Sequence, residues 1–380
     1  MSPDSGSGPL PPAERAGLLL PELPGVLGAD QVRQTVAWIA GEQSRDGALP
    51  WFRTGQLDPW DSVEAAMALD VAGEHARAVA AYRWLAARQR ADGSWAAEYR
   101  AGVESAPAAE SNHAGYLAVG VWHSWLAAGD EALVVELWPV VRAALDLVVR
   151  MRLPGGGIGW ALRPDGTPDD LALLTGNASL FQALRCGLAL ADLVGQAQPD
   201  WELAVADLGS ALRERPEYFA DRSRYSMDWY YPVLGGAVTG AAGGDLLAEG
   251  WDRFVVPGLG IRCVADRPWV TGAETCELAL ALVAAGQRDA ALEQVAAMQH
   301  LRDDDGAYWT GYVYPDDARW PIERTTWTAA AVVLAADALS GASGAAGLFA
   351  DPGALPAAGT PGQGIPDPGW LPGSAGRVSS

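Results

Sequence analysis

Asp61 and Glu64 stand three residues apart, directly after Trp60. On a helix that spacing places both carboxylates on one face. Like charges that close raise each other's pKa, which is what a general acid needs. Asp58, just ahead of Pro59, also reads as a helix N-cap followed by a proline in the first turn. Comparable sets recur along the chain: Glu110, Ser111, Asn112, His113 and Tyr116; Thr175, Asn177 and Ser179; Asp228, Trp229, Tyr230 and Tyr231; Trp269, Thr271, Glu274 and Glu277; Glu323, Arg324, Thr325, Thr326 and Trp327. Capping and the helix dipole account for an Asp, Ser, Thr or Glu at any one of these places. They do not call for the Trp and Tyr that accompany the carboxylates in five of the six sets. Brought together, the sets make an acidic, aromatic funnel.

Two chemistries use such a funnel. A buried carboxylic acid can protonate an alkene or epoxide, with π faces stabilising the cation that follows. Alternatively, one carboxyl group protonates a glycosidic oxygen while another activates water, and Trp and Tyr stack on sugar rings. A third use is a non-catalytic toroid that binds an apolar or sugar ligand. The candidate acids are Asp61 first, then Asp58, Glu64, Glu110, Asp228, Glu274 and Glu323. The candidate binding residues are Trp51, Trp60, Trp95, His113, Tyr116, Trp229, Tyr230, Trp269, Tyr308, Trp309 and Trp327. No metal and no cofactor is expected: no DDxxD motif and no paired Cys/His set occurs.

The elements that must position these residues are helical hairpins. Six apolar, Ala-rich runs each finish at a glycine, at Gly73, Gly129, Gly195, Gly250, Gly286 and Gly341. Glycine accepts the left-handed conformation that closes a helix. Beside most runs lies a second helix with one polar face, as in Gln31–Gln43, Arg77–Gln89, Glu131–Met151, Trp201–Arg213 and Arg288–Gln299. A segment that is apolar all round, such as Leu278–Ala285, is buried on both sides. A polar outer layer and a buried inner layer, repeated six times, predict an all-α (α/α)6 toroid of about twelve helices. The funnel then lies where the inner helices begin. The toroid is expected over 26–340, after a flexible segment 1–25 and before a disordered Gly/Ala/Pro-rich tail, 341–380.

The turn between outer and inner helix repeats as well. Gln89 to Trp95 reads QRADGSW, Gln43 to Gly47 starts the same way, and longer or degenerate copies run from Gln299 to Trp309 and from Met151 to Trp160. Asp-Gly makes a tight turn, so the motif reads chiefly as architecture. With these repeats the chain resembles the terpenoid-cyclase and protein-prenyltransferase superfamily, whose squalene-cyclase branch carries QxxDGxW repeats, and in particular small actinobacterial prenyltransferase-like proteins. The resemblance implies the toroid and an isoprenoid-like substrate. It departs from the family at the chemistry: Asp58 and Asp61 are spaced DxxD rather than DxDD, and no Arg cluster suits a diphosphate. The leading expectation is acid-initiated or cation-stabilising chemistry on an isoprenoid-like substrate. Glycoside hydrolysis by paired carboxylates is the alternative.

Composition narrows the partners. The net charge is −21 and lysine is absent, so nucleic acid and anionic membrane are excluded as partners. Three cysteines without a CxxC pair fit a reducing compartment. The leucines ending at Leu20 are cut short by Pro21, leaving no apolar run of signal or membrane length. A cytoplasmic enzyme of small molecules is expected, its oligomeric state left open.

Overall fold

The computed structural model describes residues 19–352 except 164, together with 355. In chain order the outer and inner helices are α1 (Ala29–Glu42) and α2 (Pro59–Val71), α3 (His75–Ala86) and α4 (Ser111–Ala128), α5 (Glu131–Arg150) and α6 (Leu174–Leu193), α7 (Pro199–Glu214) and α8 (Ser226–Leu234), α9 (Gly240–Phe254) and α10 (Gly272–Ala284), α11 (Arg288–Ala297) and α12 (Thr326–Ser340). Each inner helix packs on the next, and α12 closes the ring on α2. This is the expected (α/α)6 toroid. The outer helix α1 buries Val32, Thr35, Val36 and Ile39, a single stripe at helical spacing. The inner helix α2 buries every residue except Asp61.

Five of the six terminal glycines close inner helices: Gly73, Gly129, Gly195, Gly286 and Gly341 take φ between +67° and +77°. Gly250 does not. It lies inside the outer helix α9, where a Cβ would meet the Trp229 indole at 2.4 Å. The fourth inner helix is α8, only nine residues long and interrupted by Pro232. The run ending at Gly250 is therefore the buried face of an outer helix, set by packing against Trp229.

The Asp-Gly turns are clips between neighbouring outer helices. A Cβ on Gly93 would lie 2.2 Å from the Ala143 carbonyl oxygen of α5, and one on Gly47 2.4 Å from that of Ala80 in α3. Gln89 Nε2 donates to the carbonyls of Gly93 and Val140, and Gln43 Nε2 to those of Gly47 and Arg77. The last turn packs Gly306 against Gln34 of α1, which closes the outer ring.

Short strands, which the helical pattern does not announce, tie the loops into a collar around the mouth. β1 (Gln56–Leu57) pairs with β2 (Glu98–Arg100), which pairs with β3 (Val103–Ala106). β4 (Ala109–Glu110) pairs with β5 (Ala161–Leu162). β6 (Val255–Val256), β7 (Gly260–Arg262), β8 (Trp269–Thr271), β9 (Gly311–Val313) and β10 (Ala318–Arg319) make a five-stranded antiparallel sheet. Thr326 N donates to the Trp51 carbonyl at 2.7 Å and joins the last loop to the first.

The ends pack more than their composition indicates. Leu23, expected to be flexible, is buried in the core. Past Gly341, α13 (Gly347–Ala350) seats Leu348 and Phe349 against α10 and α12, and Arg185 of α6 donates to the Leu355 carbonyl at 2.5 Å. Two large apolar side chains suffice to anchor this part of the tail. Residues 1–18, 353, 354 and 356–380, also expected to be flexible or disordered, lie outside the described residues. No described helix is long and apolar enough to cross a membrane.

Candidate active site

The inner helices begin around a cavity of about 520 Å³. Seven carboxylates line it: Asp58, Asp61 and Glu64 at the start of α2, Glu98 on β2, Glu110 ahead of α4, and Glu274 and Glu277 in the first turns of α10. Trp51, Trp60, Trp160 and Trp327 form the aromatic wall, and no arginine reaches it.

Asp58 is the N-cap of α2. Its Oδ1 accepts from the Asp61 N–H at 2.9 Å and its Oδ2 from the Trp51 indole N–H at 2.8 Å. With both oxygens engaged, it shapes the wall. Asp61 faces the cavity from the next turn. Burial, then the charges of Asp58 and Glu64, push its pKa well above the ordinary carboxyl range. Its carboxyl group is therefore harder to ionise than an ordinary one, and it lines the cavity.

Two further acids form the floor. Glu64 Oε1 accepts from the Trp60 indole N–H and the Tyr116 hydroxyl, each at 3.1 Å. Burial outweighs these bonds and raises its pKa to about 7. Glu277 accepts the Tyr230 and Tyr231 hydroxyls at 2.5 Å each, yet burial and the neighbouring Glu64 keep its pKa raised well above normal. Trp60 stacks on Tyr116 with centroids 4.7 Å apart, which fixes the indole.

Three polar atoms on this wall are buried without a hydrogen-bond partner among the described residues: Glu274 Oε2, His113 Nδ1 and Trp327 Nε1. His113 Nε2 lies 3.7 Å from Glu110 Oε2. Buried polar atoms are normally satisfied, so an acceptor, an imidazole nitrogen and an indole donor without partners set this wall apart. No cluster of three or more His, Cys, Asp or Glu among the described residues has the geometry of a metal site.

Asp58, Asp61, Glu64, Glu110 and Glu274 thus come together with Trp51, Trp60, His113 and Trp327. Tyr116 and Tyr230 sit behind the wall and hold its acids. The other candidates lie elsewhere. Asp228 turns into an adjacent cavity and accepts from Thr175 N and Oγ1, while its neighbour Met227 faces the main one; Trp229 lines the adjacent cavity and donates to the Leu246 carbonyl. Trp95 is buried and donates to the Leu85 carbonyl, and Tyr308 is buried against Gln299. Trp269 pairs with Trp320, Trp309 lies under Arg324, and Glu323 is outside the cavity lining. Trp95, Tyr308 and Trp309, from two of the repeated turns, are packing residues. Glu98, Trp160 and Met227 were not foreseen; Trp160 closes a degenerate copy of the turn, the one signal that marked it.

Among solved structures the chain is similar to a wild-type glycosidase (TM-score 0.64, 14% identity, 82% of this chain and 96% of that one). It is also similar to the GH63 mannosylglycerate hydrolase from Thermus thermophilus in complex with glucose (TM-score 0.60, 15% identity, 80% and 99%) and to a D-mannose isomerase (TM-score 0.64, 10% identity, 81% and 96%). At these identities the likeness shows the fold alone. No family model matches the chain. In sequence it is 56% identical over 330 residues to the MMP endo-(1,4)-3-O-methyl-alpha-D-mannosidase of Mycolicibacterium hassiacum, covering 87% of this chain and 92% of that protein. The chain belongs to the family of that mannosidase. This overturns the resemblance to terpenoid cyclases and prenyltransferases and, with it, the isoprenoid substrate and transferase chemistry. The repeated turn that carried the resemblance clips outer helices together, a task that any toroid of this kind shares.

Proposed function

We propose that the protein is a glycoside hydrolase that cuts (1,4)-linked 3-O-methyl-α-D-mannosyl chains at internal bonds. The mannosidase relative supports the substrate class. The observation that carries the chemistry is the cavity that Glu274 shares with Asp61, whose pKa burial raises well above the ordinary carboxyl range. Asp61 is the general acid: it protonates the glycosidic oxygen as the bond from that oxygen to C1 breaks. Glu274 is the base: it takes a proton from the water whose oxygen bonds to C1. Attack by water on the face opposite the leaving group converts the α linkage into a β product.

The rest of the wall suits a neutral, partly methylated sugar. Indole faces of Trp51, Trp60 and Trp327 accept apolar ring faces and methyl ethers. Carboxyl groups accept the remaining hydroxyls, and an acidic lining without an arginine disfavours anionic sugars. The test is incubation with a 3-O-methylated α-(1,4)-mannan. Shortened chains with a newly formed β end, absent with Asp61→Asn, are expected. An intact polymer in the presence of folded wild-type protein would reject the proposal.

A further inference from the structure

The cavity is the size of a single small-ligand pocket. A polymer cut at an internal bond leaves the cavity in two directions, so most of its length lies on the surrounding surface. That surface is unusual. Seven large apolar side chains among the described residues are exposed, and four stand on the loops that lead into inner helices at the mouth: Val103 (69%), Leu171 (41%), Trp320 (55%) and Ile322 (77%). Trp320 and Ile322 precede α12, whose Trp327 lines the cavity. Val103 lies in the hairpin beside Glu98 and precedes α4. Leu171 precedes α6, two residues before the lining residue Leu173.

In the ring of inner helices α12 and α6 are three places apart, and so stand opposite each other, with α4 next to α6. Trp320 and Ile322 before α12 and Leu171 before α6 therefore stand on opposite sides of the mouth, and Val103 lies between them, because its hairpin pairs through β2 with β1 ahead of α2. Water-facing apolar groups gain by covering apolar surface. Trp320 is braced edge-on against Trp269 at 4.9 Å, and its carbonyl accepts the Trp269 N–H at 2.7 Å, so its indole is presented on a fixed support.

From this arrangement we infer that the rim is a second binding region of the same enzyme: Trp320 and Ile322 on one side and Leu171 on the other, with Val103 between them, hold the methylated faces of the polymer where it leaves the cavity in both directions. This rests on the mannosidase reading above and adds the residues that select a long methylated chain over a short or unmethylated one.

The experiment is calorimetric binding to the uncleaving Asp61→Asn protein, with three probes: a long 3-O-methylated α-(1,4)-mannan, its disaccharide, and a long unmethylated α-(1,4)-mannan. Adding Trp320→Ala is expected to weaken binding of the long methylated chain several-fold, up to about tenfold for the loss of an indole stack, and to leave the disaccharide unchanged. Ile322→Ser and Val103→Ser, on exposed side chains, should act the same way more weakly. Val135→Ser, on the outer helix α5, should have no effect. Equal effects on long chain and disaccharide, equal binding of methylated and unmethylated chains, or no effect of any rim variant overturns the rim. Failure of Asp61→Asn to bind any of the three saccharides overturns the mannosidase reading and the rim with it.

Discussion

Replacing Asp61 by Asn separates the catalytic from the structural meaning of the acidic cluster. Asn keeps the shape of the side chain, and the N-cap of α2 is Asp58, bound to the Asp61 backbone N–H, which the replacement leaves in place. In the folded protein, burial and the charges of Asp58 and Glu64 oppose loss of the Asp61 proton. An unfolded chain releases that proton at the ordinary carboxyl value. This group therefore contributes less to stability as pH rises from that value toward its folded pKa. Asn has no proton to hold, so Asp61→Asn should melt at or above the wild-type temperature at pH 7, with the difference shrinking in acid. Activity should move the other way. Loss of a general acid costs about 10²–10⁴ in rate, which is about 3–5 kcal/mol of barrier. The assay is reducing-end release from the methylated mannan beside thermal melts of both proteins. Unchanged turnover in a well-folded Asp61→Asn protein would refute the assignment and move the acid to another cavity carboxyl.

Glu64, raised to about 7 by burial, makes the fold less stable as pH climbs from about 4.5 to 7, by up to about 3 kcal/mol; chemical denaturation across that range should show the decline and Glu64→Gln should flatten it. His75 bridges Asp70 at 2.7 Å and Asp130 at 3.2 Å, and the hydrogen bond to Asp70 is the largest cause of its raised pKa. Its contribution is complete below the free imidazole value of about 6.5 and is lost as pH rises through the folded pKa. The stability gap between wild type and His75→Ala should thus be wide at mildly acidic pH and narrow at alkaline pH. Gly93→Ala places a methyl 2.2 Å from a backbone carbonyl at φ +95° and should destabilise by several kcal/mol, whereas Gly129→Ala, at φ +67° with open space, should cost about 1 kcal/mol; equal melting temperatures would contradict the clip.

The rings were legible because each hairpin writes the same physics: a Gly-terminated apolar inner run beside an outer helix with one polar face. Five inner helices follow that rule, and α8 escapes it because Pro232 shortens it and the glycine that looked like its cap makes room for Trp229. The acids were legible at the inner-helix starts, where Asp58, Asp61, Glu64, Glu110 and Glu274 do converge. What a helical pattern cannot give is phase. Met227 faces the cavity and Asp228 the next one, a difference of a single position in a first turn. Nor does it give the collar, whose two- to four-residue strands bring in Glu98 and are set by pairing between distant loops. The substrate class was the deepest miss. An aromatic, acidic funnel serves cations and sugars equally well, and the turn motif that tilted the balance is structural.

The central claim is hydrolysis of an internal bond by water inside this cavity, and cleavage of 3-O-methylated α-(1,4)-mannan in ¹⁸O-labelled water tests it most directly. Mass spectrometry should show a spread of internal fragments, with one ¹⁸O at every newly formed reducing end. Proton resonance spectra taken early should show that end as the β anomer. New reducing ends without label, release of single sugars from one end only, or no cleavage by the folded protein would contradict it.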